Sequence, residues 1–191
     1  MKFKNFNLII TGYGGQGILT LAEIISKASF LQKYDVKETE IHGLAQRGGS
    51  LIVHIRLNSK IFSPLIMKGQ ANLIIALDSL EALRACYFAN KKTIFLVNKK
   101  LSDGSSKVCR TLSRLKGYGK IHLVNADEIS EKLTGKINYA NTYILAYAVS
   151  KKLLPLNKKS LWEALKEKIK PQFIEDNKKV FDYAFRSSSF S

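Results

Sequence analysis

Two glycine clusters mark where this chain could do chemistry. In "NLIITGYGGQGIL", residues 7–19, Gly12, Gly14 and Gly17 have the G-x-G-x-x-G spacing directly behind an apolar run that reads as a buried strand. A strand turning into a helix there needs backbone freedom at Gly12, close approach at Gly14 and a small contact at Gly17. The helix start then presents unpaired N–H groups to an anion. The chemistry on offer is phosphate binding; the plainer alternative is a tight turn that packs helix on sheet. Gly15 shares the turn. Gln16 and Thr20 are able to hydrogen-bond a neighbouring chain, a diphosphate or their own backbone.

The second cluster is in "EIHGLAQRGGSLIVHIR", residues 40–56. Glu38 and Glu40 stand about where a dinucleotide fold carries its ribose-binding acid. They are followed at once by His42, Gly43, Gln46, Arg47, Gly48 and Gly49, a polar and permissive loop that a plain cofactor site does not need. Two glycine loops at neighbouring strand ends imply one crevice or one docking surface. His42 is either a proton shuttle or an ordinary hydrogen-bonding residue, and His54, alternating within "LIVHIR", reads as a sheet-face residue. Ser63, Asn98 and Asn141 form a second tier, because strand carboxyl ends line the crevice of an open α/β sheet. Glu81 and Arg84, three apart, read as a local surface pair.

These residues need a scaffold. Strand-like runs occur at 8–11, 36–41, 50–56, 73–77, 93–97 and 121–124, with helical patterns at 18–31, 80–89 and 128–133 between them. That alternation predicts an α/β, Rossmann-like fold: a mostly parallel sheet with helices on both faces. From Asn138 onward the pattern is helical only, over 143–153, 160–169 and 174–185, punctuated by Pro155 and Pro171. Asn157 to Ser160 reads as a helix cap, and Trp162 as packing. Segment 101–119 reads as an exposed connection with a single helical turn and no function.

With 191 residues and 46% hydrophobic content, residues 1–191 read as a single domain. No run of about 18 apolar residues is present, so a membrane span is not expected and a cytoplasmic location is. Cys86 and Cys109 are far apart and outside any C-x-x-C spacing, which excludes an iron–sulfur or zinc site built from cysteines of this chain. Net charge is +16, but only six of 31 basic residues are arginines. Dispersed lysine solvates a surface more than it recognises phosphate, and no basic strand is interleaved with aromatics, so nucleic acid is not the expected partner. A stand-alone dinucleotide-binding oxidoreductase and, further off, a basic nucleic-acid module remain the alternatives.

"GYGGQGILTLAEI", "EIHGLAQRGGSLIVHIR", "FSPLIMKGQANLIIALDSLEALR" and "NYANTYILAYAVSKKLLPL…NKKVFDYAF", in this order from Leu8 to Phe185, resemble the small non-thiamine (gamma-type) subunit of the 2-oxoacid:ferredoxin oxidoreductases, nearest the indolepyruvate ferredoxin oxidoreductase beta subunits. The pairing of G-x-G-G-Q-G with H-G-x-x-Q-R-G-G is more specific than either loop alone. Tyr13, and Asp78 where the family tends to glutamate, depart from the pattern without disturbing the glycines. The resemblance implies CoA-dependent oxidative decarboxylation of an aryl 2-oxoacid to acyl-CoA, carbon dioxide and reduced ferredoxin. It implies thiamine diphosphate, magnesium and iron–sulfur clusters in a large alpha-type partner subunit, coenzyme A as co-substrate, and no cofactor in this chain. It gives this chain no catalytic residue and no metal. The loop residues Gly12, Gly14, Gly15, Gln16, Gly17, Thr20, Glu40, His42, Gln46, Arg47, Gly48 and Gly49 are then expected near the partner's active site or a ligand. There Arg47 would recognise an anion, a substrate carboxylate or a coenzyme A phosphate; its alternative is a structural pair with Glu38 or Glu40.

Overall fold

A computed structural model describes residues 5–42, 49–100 and 105–187. The strands are β1 (Phe6–Tyr13), β2 (Asp35–His42), β3 (Ser50–Asn58), β4 (Leu73–Ala76), β5 (Thr93–Asn98) and β6 (Gly119–Val124). The helices are α1 (Ile18–Leu31), α2 (Ser79–Arg84), α3 (Ser105–Leu115), α4 (Ala126–Thr134), α5 (Ala140–Ser150), α6 (Lys158–Lys168) and α7 (Ile174–Ser187). One sheet has the order β2-β3-β1-β4-β5-β6. β1, β4, β5 and β6 pair in parallel, as the alternating pattern predicts.

The other side of the sheet differs. β3 is antiparallel to both β2 and β1, so β2 is separated from β1 by a reversed strand. The reason is chain length. Only residues 43–49 join β2 to β3, whereas a parallel crossover needs a dozen residues or more.

Alternation on the central strands fills two cores. Leu8 and Ile10 of β1, Leu73 and Ile75 of β4 and Leu96 of β5 face α1 and the carboxyl-terminal helices. Ile9, Ile74, Phe95 and Val97 face Ile66, Ala82, Ala85 and Leu115 on the other side. Each such side chain removed from water contributes about 1.5–3 kcal/mol, which is why these strands tolerate no polar face.

The helical region behaves as its pattern predicts. Asn157 Oδ1 accepts from Ser160 N–H at 2.8 Å and caps α6. Trp162 packs on Phe181, ring centroids 5.0 Å apart.

Three expectations are corrected. Segment 101–119 contains the 11-residue helix α3, not one turn, because Leu115 is buried and Thr111 nearly so against the second core; residues 101–104 lie outside the described ones. Ser63 follows β3, and a reversed strand delivers it to the end of the sheet opposite the glycine turn, where its carbonyl accepts from Arg56 at 2.9 Å. Glu81 is not on the surface: its side chain is 0% exposed. His54 is a buried face residue whose Nδ1 accepts from Ile66 N–H at 3.0 Å. Among the described residues no helix is long and apolar enough to cross a membrane.

Candidate functional site

The turn between β1 and α1 is residues 14–17. Gly15 (φ 92°) and Gly17 (φ 77°) occupy the left-handed region, which penalises any side chain. Gly17 is also the N-cap of α1 and no side chain caps that end, so the first-turn N–H groups face outward without helix acceptors. Gly12 serves space rather than conformation: a Cβ there would run into Gln16 Oε1 and lie 3.0 Å from Ile18 Cδ1. The Gln16 carboxamide occupies that room and accepts from Tyr13 N–H at 2.8 Å. Asn141, at the start of α5, donates to the Gln16 carbonyl at 2.8 Å. Gln16 closes its own turn, and Asn141 ties the turn to the helical region.

The second loop arrives at the same place. Gly14 N–H donates to the Gly49 carbonyl at 3.0 Å, so the two glycine loops touch through their backbones. A cavity of about 420 Å³ lies between them, lined by Tyr13, Gly14, Gly15, His42, Gly49 and Ser50 among others. His42 Nε2 is 2.9 Å from Glu40 Oε2, both exposed. Gly43, Gln46, Arg47 and Gly48 lie outside the described residues.

Neither acid of β2 is placed as a ribose-binding residue. With β3 between β2 and β1, Glu40 is two strands from the glycine turn, and Glu38 accepts from Ser26 of α1 at 2.6 Å. The carboxyl ends of β1 and β2 do share one edge of the sheet, but not as adjacent strands.

Behind the glycine turn is a polar cluster that local pattern does not reveal. Glu81 accepts from Ser50 Oγ, at the start of β3, and from Arg84 Nη1 at 2.5 Å. Tyr13, at the end of β1, hydrogen-bonds the same carboxylate. Burial, and then the charges of Glu81 and Asp78, raise its phenol above the ordinary tyrosine range. Asp78 caps α2 by accepting from Leu80 N–H at 2.9 Å and meets Lys100 Nζ at 3.3 Å. One signal was available in the sequence. Glu81 lies on the helix face shared with Asp78, Ala82 and Ala85, all buried, rather than on a solvated face.

On the other flank of the turn, a crevice of about 510 Å³ runs past the carboxyl ends of β1, β4 and β5. Its lining includes Gln16, Asn98, Lys100, Asp127 and Asn141. Asn98 is committed to α4: its Oδ1 accepts from Ala126 N–H at 3.1 Å and its Nδ2 donates to Asp127 at 2.8 Å. Thr20 faces a separate cavity beside α1. The structure thus brings together the first glycine turn, His42, Gly49 and Asn141, with Asn98 at the border. Glu40 reaches this group only through His42, and Ser63 is left out of it. Cys86 is half-buried, its thiol pushed up to about 11 by burial. Among the described residues no group of three or more His, Cys, Asp or Glu is placed to hold a metal ion.

The sequence matches the pyruvate ferredoxin/flavodoxin oxidoreductase family over residues 7–187. The chain belongs to this family. Among its relatives, an indolepyruvate oxidoreductase subunit IorB of Archaeoglobus fulgidus is 32% identical, with 95% of this chain and 94% of that protein covered. The pyruvate/ketoisovalerate oxidoreductases common subunit gamma of Thermococcus kodakarensis is 29% identical, with 93% and 94% covered. The gamma subunit of a keto/oxoacid ferredoxin oxidoreductase from Geobacter sulfurreducens has the same fold, with TM-score 0.76 at 18% identity over 97% of this chain and 99% of that one. As a family member the chain is an oxidoreductase subunit of the 2-oxoacid:ferredoxin type. The rival readings, a stand-alone dinucleotide enzyme and a nucleic-acid module, are not favoured.

Proposed function

We propose that this chain is the small subunit of an indolepyruvate-type 2-oxoacid:ferredoxin oxidoreductase and that its glycine-loop edge closes against the active site of a large partner. The partner would carry thiamine diphosphate, magnesium and the iron–sulfur clusters. In the assembled enzyme an aryl 2-oxoacid loses carbon dioxide, its acyl group passes to coenzyme A, and the released electrons pass to ferredoxin, in the cytoplasm. The span 1–191 acts as one gamma-type domain. The aryl substrate is supported by the indolepyruvate relative at 32% identity.

The observation that carries the docking edge is the Gly14–Gly49 backbone bond. It joins the loops into one surface whose glycines let another backbone approach. Tyr13 and Gln16 N–H groups are already engaged by the turn itself, which favours a preformed protein surface over an open diphosphate cradle. Arg47 is the residue we assign to anion recognition there, on its sequence setting between glycine-flanked positions and on its five donors.

The test is coexpression with the large subunit. Turnover of indolepyruvate is expected only from the pair, and Arg47→Ala should weaken assembly or turnover by about 2–5 kcal/mol, with Arg47→Lys rescuing in part. Turnover by the small chain alone, or wild-type assembly and turnover with Arg47→Ala, would refute the reading.

A further inference from the structure

The structure contains a further cavity beside the glycine turn, bordering it at Gly17 and Asn141 and extending away along α1. It has a volume of about 600 Å³ and is walled by α1, α5, the end of α6 with the following turn, and residues 136–139. Its floor is apolar: Leu21, Leu145 and Leu165 are buried there, with Ile169 and Phe173 beside them. A volume of this order is far above a packing void and within the range of small-molecule pockets.

The polar groups around it fall into two sets. One set is satisfied within the protein. Thr142 donates to Asn177 at 2.5 Å, Asn177 donates to the Phe173 carbonyl at 2.8 Å, Tyr139 donates to Asp176 at 3.1 Å, and Lys168 meets Glu23 at 2.6 Å. The other set has no side-chain partner among the described residues: the ammonium groups of Lys136 and Lys170, the Thr20 hydroxyl and the Asn138 carboxamide, all on exposed residues at the mouth. An apolar floor under two uncommitted cations and two neutral hydrogen-bonding groups selects a particular chemistry.

We infer that this cavity binds a small organic anion with an aromatic or branched apolar body, its charge met by Lys136 and Lys170 and its body lying against Ile169 and Phe173, above the buried Leu21, Leu145 and Leu165. Desolvation of the body supplies affinity, and the lysines supply the preference for negative charge. Thr20 and Asn138 complete the hydrogen bonds of a carboxylate or sulfonate head. The site is independent of which 2-oxoacid the enzyme uses.

The experiment is a fluorescence titration of the full chain with anilinonaphthalene sulfonate, repeated with uncharged phenylnaphthylamine. Saturable binding of the anion is expected, weakened by salt. Lys136→Ala with Lys170→Ala should lower its affinity by about tenfold and leave the neutral probe unaffected. Thr20→Trp, on an exposed helix position at the mouth, should block both probes with the circular dichroism spectrum unchanged. Equal affinity for charged and neutral probes, or anion binding untouched by Thr20→Trp, would overturn the inference. So would loss of the anion site on assembly with the large subunit, since the occupant would then be the partner chain.

Discussion

The two ends of the sheet fasten the same pair of strands, β1 and β3, by different means. At the glycine-loop end Tyr13 and Ser50 are opposed in register and both hydrogen-bond the buried Glu81 carboxylate. At the other end Asn7 is opposed to Arg56, whose Nε donates to Asn7 Oδ1 at 3.1 Å. Asn7 also donates from its side-chain amide to the Gln70 carbonyl and from its backbone N–H to Asn72 Oδ1, each at 2.8 Å. One fastening is a buried charge, the other a set of dipoles and one cation near solvent. The surfaces differ as well. The far loop exposes Phe62 (84%), Met67 (63%) and Leu65 (50%), whereas Leu19 (39%) and Ile41 (44%) near the glycine turn are less exposed.

Four substitutions and one change of pH sharpen this contrast. The largest effect is expected for Glu81→Ala, which strips Ser50 and Tyr13 of their acceptor and opens space in the core. A stability loss of about 3 kcal/mol in urea unfolding is expected, and a loss near zero would mean that the carboxylate does not hold the strand ends. Next is Gly17→Ala. It forces a Cβ into the left-handed region and to within 2.8 Å of Asn141 Nδ2, so about 1–2 kcal/mol of stability should go, together with assembly with the large subunit.

At the far end Asn7→Ala should remove about 1 kcal/mol by the same unfolding assay and leave assembly intact. Phe62→Ser, on a side chain with no core contact, should stay within about 0.5 kcal/mol of wild type and also assemble normally. Loss of assembly with Phe62→Ser, retained with Gly17→Ala, would place the docking edge at the wrong end of the sheet. The smallest effect is in acid. Burial lowers the proton affinity of His54 and His122, with Lys120 and Lys151 adding to the lowering at His122. The unfolded chain therefore takes up protons first. Stability contributed by the neutral rings is present above pH about 6.5 and declines as pH falls from there through the lowered folded values. Melting temperatures measured across that window, with His54→Gln as comparison, should show a shallower decline for the variant.

Much of this was written locally. The G-x-G-x-x-G spacing placed a turn between a strand and a helix because glycine's freedom is a property of one residue. Period-two and period-3.6 patterns located the elements because side-chain direction repeats along the chain itself. The brevity of 43–49 even dictates the hairpin, although strand pattern alone suggested a parallel neighbour. What escaped the sequence depends on distant partners. Glu81 and Arg84 have the spacing of a surface pair, and only Ser50, 31 residues away, and Tyr13 reveal a buried acid. Ser63 follows a strand, and only the direction of β3 decides which end of the sheet it reaches.

The sequence by itself determined that this is an α/β chain with two glycine loops and a helical tail, because periodicity, capping and turn chemistry act over a few residues. Tertiary structure alone decided that the loops meet at Gly14 and Gly49, that Asn141 locks a turn more than a hundred residues earlier, and that Glu40 stands two strands from the glycine turn. Each of these depends on strand order, and strand order is set by connection length and by burial of both sheet faces at once, which no short window of sequence contains.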